Sequence, residues 1–288
     1  MRIVAFGDLH FYSLWLKPRE LFFKRIPGQF NLWFNRRHHF QMELWPAVAE
    51  RIREVAPEFL LSTGDFTTTA LPQEFTMVVE NLKPLVEKTP AFFIPGNHDR
   101  YTRASMKQRF FEEHFQDLTA RSWPHHQILT ENLHLVGLDP TRPNFINASG
   151  ELGDEQREKL ADLLQTIDPE DRIIMTCHYP VGIPTGFIAE ATGHKLQDDR
   201  ELVQILLDSG RRITYLHGHI HRPWAMRVQE SPRVRAINLG APLMTSREYA
   251  QGQGFVEIDT SGDRMTFTRH LLGSDQGWST QEIEIRER

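Results

Sequence analysis

Short apolar runs separated by longer amphipathic stretches form the main pattern of the chain. Residues 3–6, 59–61 and 91–94 are continuously apolar, which is typical of strands buried on both faces of a sheet. Between the first two runs, residues 42–55 repeat apolar positions at helical spacing. This alternation of strands and helices predicts an α/β fold.

The same reasoning extends along the chain, which becomes rich in strands from about residue 232. Predicted strands lie at 3–6, 59–61, 91–94, 127–130, 133–138, 172–176, 213–216, 234–239, 255–258 and 265–268, with a last strand near 282–286. Predicted helices lie at 42–55, 72–88 with an interruption near Pro84, 103–115, a segment that opens at 153–156, and 199–209. No repeat or clear linker interrupts the pattern, so we expect one domain over residues 1–288.

Composition narrows the class of protein. Of the 288 residues, 40% are hydrophobic and 25% are charged, as in ordinary globular proteins, and the net charge of −5 argues against a nucleic-acid partner. Cys177 is the single cysteine, which excludes an internal disulfide and fits a reducing compartment. No apolar run reaches the length of a membrane span, and the first residues do not resemble a signal peptide. We therefore expect a complete, cytoplasmic protein.

An aromatic and basic segment at about 11–40 departs from the α/β pattern. It interleaves many aromatic and aliphatic residues with Lys and Arg and contains a single acid, Glu20. Such a segment suits peripheral contact with the inner membrane surface, or a lid over a ligand with an apolar tail. The alternative is an elaborated loop whose aromatic residues complete the core.

Polar residues that can bind metal follow five of the predicted strands. They are Asp8 and His10, Asp65, Asn97 and His98, His178, and the group His217, His219 and His221. Because ligands of α/β proteins bind beyond the carboxyl ends of the strands, these side chains are expected to meet. Each of them alone could be a structural polar group or part of an ordinary turn. Their recurrence at successive strand ends is what favours a shared site.

The residue types indicate the chemistry. Carboxylate, imidazole and amide oxygen without thiolate suit divalent Mn, Fe, Zn or Co. The candidate ligands outnumber the needs of one ion, so we expect two ions about 3.5–4 Å apart, a clamp suited to displacement at phosphorus. His98 is an acid/base candidate, and Asp99 could hold its ring.

The ordered motifs resemble those of the calcineurin-like metallophosphoesterase superfamily. The matching motifs are Asp8-x-His10, Gly64-Asp65, Gly96-Asn-His-Asp99, His178 and Gly218-His-x-His221, which together span most of the chain. The resemblance implies a four-layer α/β/β/α sandwich of two mixed sheets flanked by helices. It also implies hydrolysis of a phosphodiester or pyrophosphate by hydroxide shared between two ions.

The resemblance further implies a role for each motif residue. The first ion would be held by Asp8, His10, Asp65 and His221, and the second by Asp65, Asn97, His178 and His219. His98 would be the acid for the leaving oxygen, with Asp99 orienting it. Many members carry Asp or Asn where this chain has Thr68, and His217 receives no role, so structural and metal-supporting interpretations of it both stay open.

The sequence says less about the substrate than about the metal-binding residues. The segment at 11–40 directly follows His10, and its character favours an amphiphilic or lipid-linked phosphoester. The main alternative is a cyclic nucleotide or another small soluble diester. A non-catalytic binding module of the same fold is a remote alternative, because no predicted metal ligand is missing.

Overall fold

The computed structural model describes residues 1–14, 39–143, 148–184, 186, 193–245, 252–273 and 277–285. Within these residues, twelve strands form two six-stranded sheets. Of the predicted insertion at 11–40, residues 15–38 lie outside the described residues. No helix in the described part of the chain is both long enough and apolar enough to cross a bilayer.

The elements follow the predicted alternation. Along the chain the strands are β1 (Arg2–Phe6), β2 (Phe59–Ser62), β3 (Ala91–Phe93), β4 (His125–Thr130), β5 (Leu133–Gly137), β6 (Arg172–Thr176), β7 (Arg212–His217), β8 (Trp224–Arg227), β9 (Val234–Asn238), β10 (Gly252–Asp259), β11 (Thr266–Leu272) and β12 (Trp278–Glu282). The α-helices are α1 (Trp45–Val55), α2 (Pro72–Val86), α3 (Arg103–Lys107), α4 (Phe110–Phe115), α5 (Asp154–Thr166) and α6 (Asp199–Asp208). Short 3-10 helices lie at Met42–Leu44, Gln116–Leu118 and Val228–Glu230.

Both sheets are mixed. The first has the order β12-β11-β10-β1-β2-β3, in which β1, β2 and β3 are parallel and β10, β11 and β12 add antiparallel. The second has the order β4-β5-β6-β7-β9-β8, in which β5, β6, β7 and β9 are parallel and both edges are antiparallel. The parallel strands therefore occupy the centre of the second sheet and one side of the first.

The alternation of side chains along β1 shows how the layers stack. Val4 and Phe6 pack in a cluster with residues of α1, α2 and α4, whereas Ile3 and Ala5 pack in a second cluster with residues of the other sheet. Helices α5 and α6 pack on the far face of the second sheet in a third cluster. The result is the predicted four-layer α/β/β/α sandwich of two mixed sheets flanked by helices, which is confirmed.

Three predicted boundaries were wrong. The single helix predicted at 103–115 is split into α3 and α4, because Arg109 lies between them with a left-handed φ of 51°. Pro84 does not interrupt α2, since it lies in the last turn of that helix. The last strand ends at Glu282 rather than near 286, and Ile283 packs partly against the core between the sheets.

Strand β8 was not predicted. It is four residues long, lies at the edge of the second sheet and begins directly after Pro223. A run of Trp-Ala-Met-Arg carries little strand propensity, so its pairing with β9 comes from tertiary context rather than from a local pattern.

Candidate active site

The loops after five parallel strands meet at one end of the two sheets. Asp8 and His10 follow β1, Asp65 follows β2, His178 follows β6, and each of these four side chains is at most 1% exposed. The three remaining predicted ligands, Asn97, His219 and His221, follow β3 and β7 and also reach this point. The structure thus brings together every residue that the sequence predicted as a metal ligand.

A first group of ligands consists of Asp8, His10, Asp65 and His221, whose ligand atoms all lie within 4.8 Å of one another. The Nε2 atoms of His10 and His221 are 3.0 Å apart. His221 Nε2 is 3.2 Å from Asp8 Oδ1, and His10 Nε2 is 3.6 Å from Asp65 Oδ2.

A second group shares Asp65 and adds His178 and His219, again within 4.8 Å. His178 Nε2 lies 3.3 Å from Asp65 Oδ2 and 3.1 Å from His219 Nδ1. The amide oxygen of Asn97 completes the group at 3.0 Å from His178 Nε2. Asp65 therefore stands between the two groups.

These spacings fit the binding of divalent ions. Coordination bonds of about 2.0–2.2 Å at angles of roughly 90–110° place neighbouring ligand atoms about 3.0–3.4 Å apart. Most of the separations measured in the two groups fall in or near that range. Imidazole nitrogens that face each other and a carboxylate across such distances are the donor set that a borderline divalent ion prefers.

Hydrogen bonds fix the orientation of the second group. His178 Nδ1 lies 2.8 Å from the carbonyl oxygen of Thr63, which can only accept, so the proton resides on Nδ1 and Nε2 faces the ligand group. The backbone N–H of His219 donates to both oxygens of Asp8, at 3.2 and 3.1 Å. A carboxylate of the first group thus anchors the loop after β7, which carries His219 of the second group and His221 of the first.

The backbone at the site is unusual. Five of the seven predicted ligands have a positive φ, which non-glycine residues rarely adopt: Asp8 (53°), His10 (50°), Asp65 (58°), His219 (74°) and His221 (58°). Each such conformation costs on the order of 1–3 kcal/mol, and residues of this kind concentrate at functional sites. The surrounding loops pack so closely that a Cβ on Gly96 would overlap the Asp65 carboxylate, and one on Gly218 would overlap Asp8.

Burial and charge together shift the pKa values of the buried ligands. Burial alone would raise the pKa of Asp65, but the imidazoles of His178, His98 and His10 outweigh it and hold that pKa well below its usual value. Burial would lower the pKa of His178, yet the Asp65 carboxylate and then Asp8 raise it to about 9. Burial, followed by His178, lowers the pKa of His219 well below its usual value. The centre therefore favours positive charge next to Asp65.

His98 is held beside the first group. Its Nδ1 lies 2.6 Å from the carbonyl oxygen of Thr68, its backbone N–H donates to Asp65 Oδ1 at 2.8 Å, and its ring stacks on Tyr101 with centroids 5.5 Å apart. The ring centroid of His98 is 4.9 Å from that of His10. A proton on Nδ1 satisfies the carbonyl, which leaves Nε2 for the cleft that His98 lines.

The contacts of Asp99 differ from the expectation that it orients the His98 ring. Its carboxylate accepts hydrogen bonds from the backbone N–H groups of Gly96, Phe66 and Thr67 and from the Thr67 hydroxyl. Asp99 therefore joins the loop after β3 to the loop after β2, and the carbonyl of Thr68 holds the ring. Burial, and then the charge of Asp65, raises the pKa of Asp99 to about 7.

Thr68 stands where the resembling family often has Asp or Asn, and its contacts explain how a threonine serves here. Its hydroxyl donates to the carbonyl of His10 at 2.9 Å, and its own carbonyl faces His98 Nδ1. Thr68 thus connects the loops that carry His10 and His98. The contact with His98 cannot be predicted from the residue type at position 68, because it uses the backbone carbonyl.

His217 belongs to neither ligand group. It is fully buried, Asn238 Nδ2 lies 3.3 Å from its Nδ1, and its ring packs on Trp224 with centroids 4.6 Å apart. Burial lowers its pKa to about 3, so it is neutral at physiological pH. These contacts favour the structural interpretation over a metal-supporting one.

Two further residues at the centre were not singled out from the sequence. The ring of Phe40, which is 3% exposed, packs edge-on against His10 with centroids 4.5 Å apart, and it also contacts His221 at 5.3 Å. His194 lines the cleft beside His219. Both lie in segments that carry no recognisable motif, so spacing alone could not identify them.

Two known proteins illustrate what this chain is similar to. The chain is 22% identical over 180 residues to a protein of Pseudoalteromonas sp. (strain SM9913) named "Probable cyclic nucleotide phosphodiesterase", an alignment that covers 62% of this chain and 62% of that relative's length. The crystal structure of a dimetal phosphatase from Danio rerio superposes with a TM-score of 0.63 at 14% identity, over 98% of this chain and 99% of the other. At that identity the superposition supports the fold alone.

The sequence model of a single family, described as calcineurin-like phosphoesterase, matches residues 1–223. That range contains all five strand-end loops, both ligand groups and His98. On this match, which spans more than half of the chain, the chain belongs to the calcineurin-like phosphoesterase family.

Proposed function

We propose that this protein is a metal-dependent hydrolase that cleaves a phosphodiester or pyrophosphate bond in the cleft above the two ligand groups. The observation that carries the proposal is the lining of the cleft, which has a volume of about 220 Å³. The lining residues are Asp65, Asn97, His98, Ala148, His194, His219, Ile220 and His221. Among these described residues none is Lys or Arg.

The absence of a cationic side chain from this described lining favours diesters. A phosphomonoester carries up to two negative charges, and proteins commonly bind its terminal oxygens with Arg or Lys. A phosphodiester group carries one charge, which a metal centre can neutralise without such help. Ala148 and Ile220 add apolar surface at the cleft, where the second ester substituent would lie.

The assignment of ligands is part of the proposal. Asp8, His10, Asp65 and His221 would hold one ion, and Asp65, Asn97, His178 and His219 would hold the other. Bound divalent ions supply Lewis acidity and make water more acidic. The donor set suits Mn, Fe, Zn or Co, and the metal content of the purified protein would identify the native pair.

The residues around the ions have their own tasks. His98, as the imidazolium with its Nδ1–H donating to the Thr68 carbonyl, would give its Nε2 proton to the leaving oxygen and become the neutral imidazole, a step that typically contributes 10²–10⁴-fold. Asp99 is a positioning residue, since it ties the loop of Gly96 to that of Thr67. The buried walls keep these groups in place before substrate arrives.

Replacement of His98 tests the assignment. In metal-loaded protein we expect the wild type to hydrolyse bis(4-nitrophenyl) phosphate faster than 4-nitrophenyl phosphate, and His98→Ala to lower kcat by about 10²-fold or more. Because a poor leaving group needs its proton most, the loss should be larger with diphenyl phosphate than with the nitrophenyl diester. Metal content, measured for each variant, is the control. An equal loss on both diesters at full metal content would contradict the role of His98, and a preference for monoesters would contradict the diester proposal.

A finer proposal concerns an amphiphilic substrate. Both described ends of the segment at 11–40 border on the ligand loops: Phe11 pairs with Thr67 in a β-bridge, and Phe40 packs on His10. This supports a role of the segment in binding a lipid-linked phosphoester or in contacting the inner membrane surface. Similarity to the named cyclic nucleotide phosphodiesterase supports the alternative, a small soluble diester.

Four aromatic residues of the segment separate the two substrate classes. They are Trp15, Phe22, Trp33 and Phe34, which lie outside the described residues. Their joint replacement by Ser should reduce hydrolysis of a lipid pyrophosphate in mixed micelles and leave that of a cyclic nucleotide intact. Binding of the same variant to vesicles with anionic lipid measures membrane contact. Equal loss on both substrates, or no loss on the lipid, would contradict the amphiphilic proposal.

A further inference from the structure

His194 lies at the rim of the cleft and belongs to none of the sequence motifs. Its side chain is exposed, and its ring lies against the ring of His219 with centroids 5.5 Å apart and planes inclined by 51°. It lines the cleft together with His98 and residues of both ligand groups. An imidazole at this position can reach a ligand held above His219.

The backbone on both sides of His194 is fixed. Gly193 and Lys195 accept hydrogen bonds through their carbonyl oxygens from Ala148 and Gly150, at 3.0 and 3.2 Å. Leu196, next in the chain and 1% exposed, pairs with Gly150 in a parallel bridge. His194 is therefore presented by a short pairing of two segments, anchored in the core.

His98 and His194 contact different ligand groups. The ring of His98 lies beside His10, a member of the first group, whereas that of His194 lies beside His219, a member of the second. Both line the cleft, so a phosphoryl group bound there can meet both imidazoles. The proposed function assigns the leaving oxygen to His98, so the oxygens that stay on phosphorus are the candidate partners of His194.

We propose that His194 is a specificity-determining residue that donates a hydrogen bond to a nonbridging oxygen or to the retained ester oxygen of the phosphodiester bound above His219. The proposal rests on the proposed phosphodiesterase function. A hydrogen bond from an imidazole N–H to a monoanionic phosphate supplies binding in a cleft whose described lining contains no Lys or Arg. It acts in the bound substrate and in the transition state alike, and so affects KM more than kcat.

The test compares His194→Ala with His194→Gln, whose amide N–H can replace the donor. Lys195→Ala is the matched control, since Lys195 is the adjacent exposed residue on the same pairing. For bis(4-nitrophenyl) phosphate we expect His194→Ala to raise KM roughly ten- to hundredfold with kcat within about threefold, because hydrogen bonds to charged groups contribute about 1.5–3 kcal/mol. His194→Gln should recover part of the loss, and Lys195→Ala should match the wild type.

Calorimetric titration of the metal-loaded proteins with inorganic phosphate gives a readout that does not depend on turnover. The phosphate Kd should rise in His194→Ala and recover in His194→Gln, with metal content unchanged. Unchanged KM and phosphate Kd in His194→Ala would overturn the proposal. Loss of metal from that variant would also overturn it, because His194 would then act only by supporting His219. A wild type without diesterase activity would refute the proposed function, and the phosphate titration would still decide the role of His194.

Discussion

The two sheets contribute to the centre in different ways. The loops after β1 and β2 supply both carboxylates, Asp8 and Asp65, whereas the loops after β6 and β7 supply only imidazoles. Backbone hydrogen bonds join the two first-sheet loops. The N–H of Asp8 donates to the carbonyl oxygen of Gly64 at 2.8 Å, and the N–H of His10 donates to the backbone carbonyl oxygen of Asp65 at 3.0 Å. The first sheet thus supplies both carboxylates from loops that are hydrogen-bonded to each other.

The second-sheet residues are oriented by the first sheet. His178 donates from Nδ1 to the carbonyl of Thr63, and the backbone N–H of His219 donates to the Asp8 carboxylate. The dependence is therefore asymmetric: the second-sheet ligands take their orientation from Thr63 and Asp8. Damage to the first sheet should disturb the whole centre, and damage to the second should stay local.

The strongest test of this comparison is Asp65→Asn. Asp65 stands in both ligand groups, so its loss should remove both ions and lower diesterase kcat/KM by roughly 10³-fold or more. Metal analysis and activity are measured together, and Asp162→Asn, an exposed residue on α5, is the control. Retention of two ions at near-wild-type activity would contradict the shared role of Asp65.

A matched pair of histidines tests whether damage stays local. His219→Ala removes a ligand of the second group only, and His221→Ala removes one of the first group only. Each should leave about one ion per chain and lower kcat by roughly 10²–10³-fold. His217→Ala is the control, because His217 precedes them in the chain but lies in neither group. Loss of both ions from His219→Ala would mean that the second group also supports the first.

The convergence of the candidate metal ligands was predictable, because the loops after parallel strands meet at the same edge of a sheet. The contacts that position the ligands were not, since Thr68 acts through its carbonyl oxygen and Asp99 accepts from backbone N–H groups. A pattern of residue types shows which side chains are available, not which backbone atoms they meet. For Asp99 the prediction named the His98 ring as the partner, whereas the carboxylate accepts from the backbone N–H groups of the neighbouring loops.

The fold shows the same division. Buried strands such as β1 and β2 were predicted from their continuous apolar runs. The short edge strand β8 and the break at Arg109 depend instead on tertiary packing and a local left-handed turn. The single-domain organisation stays a prediction. It is supported by the core between the sheets, which takes Ile3 from one sheet and Ile174 from the other.

The contrast between carboxylates from the first sheet and imidazoles from the second predicts how ion binding depends on pH. The pKa of His178 is raised to about 9, because Asp65 and Asp8 outweigh the effect of burial. A metal needs the neutral imidazole, so below pH 9 the entering ion must displace one proton. The affinity of the second group should therefore rise about tenfold per pH unit towards pH 9 and level off above it.

Titration of His221→Ala with Zn²⁺ isolates the second group for this measurement. Calorimetry between pH 6 and 8, in two buffers of different ionisation enthalpy, reports the number of protons released, which we expect to be about one. His178→Ala in the same background should release fewer protons. An affinity that does not change with pH would contradict the coupling between His178 and Asp65.

The smallest expected effect concerns Glu74, which holds the loops after β1 and β2 by hydrogen bonds and is not one of the candidate ligands. The buried carboxylate of Glu74 accepts hydrogen bonds from the backbone N–H groups of Ser13, Thr69 and Leu71 and from the Thr69 hydroxyl. Burial raises its pKa from 4.5 to about 6, and these hydrogen bonds oppose the rise only in part. Because ionisation is harder in the folded state, the contribution of Glu74 to stability is greatest below pH 4.5 and falls until about pH 6.

Glu74→Gln removes this titration and keeps the size of the side chain. The free energy of unfolding of the wild type minus that of the variant should decrease by about 2 kcal/mol between pH 4 and pH 7. Urea unfolding with a chelator present excludes ion binding from the measurement. Glu43→Gln, at an exposed position, controls for the lost charge. A difference that stays constant with pH would mean that Glu74 ionises as easily in the folded protein as in the unfolded chain, and one that grows would mean that it ionises more easily when folded. Either result would contradict the raised pKa.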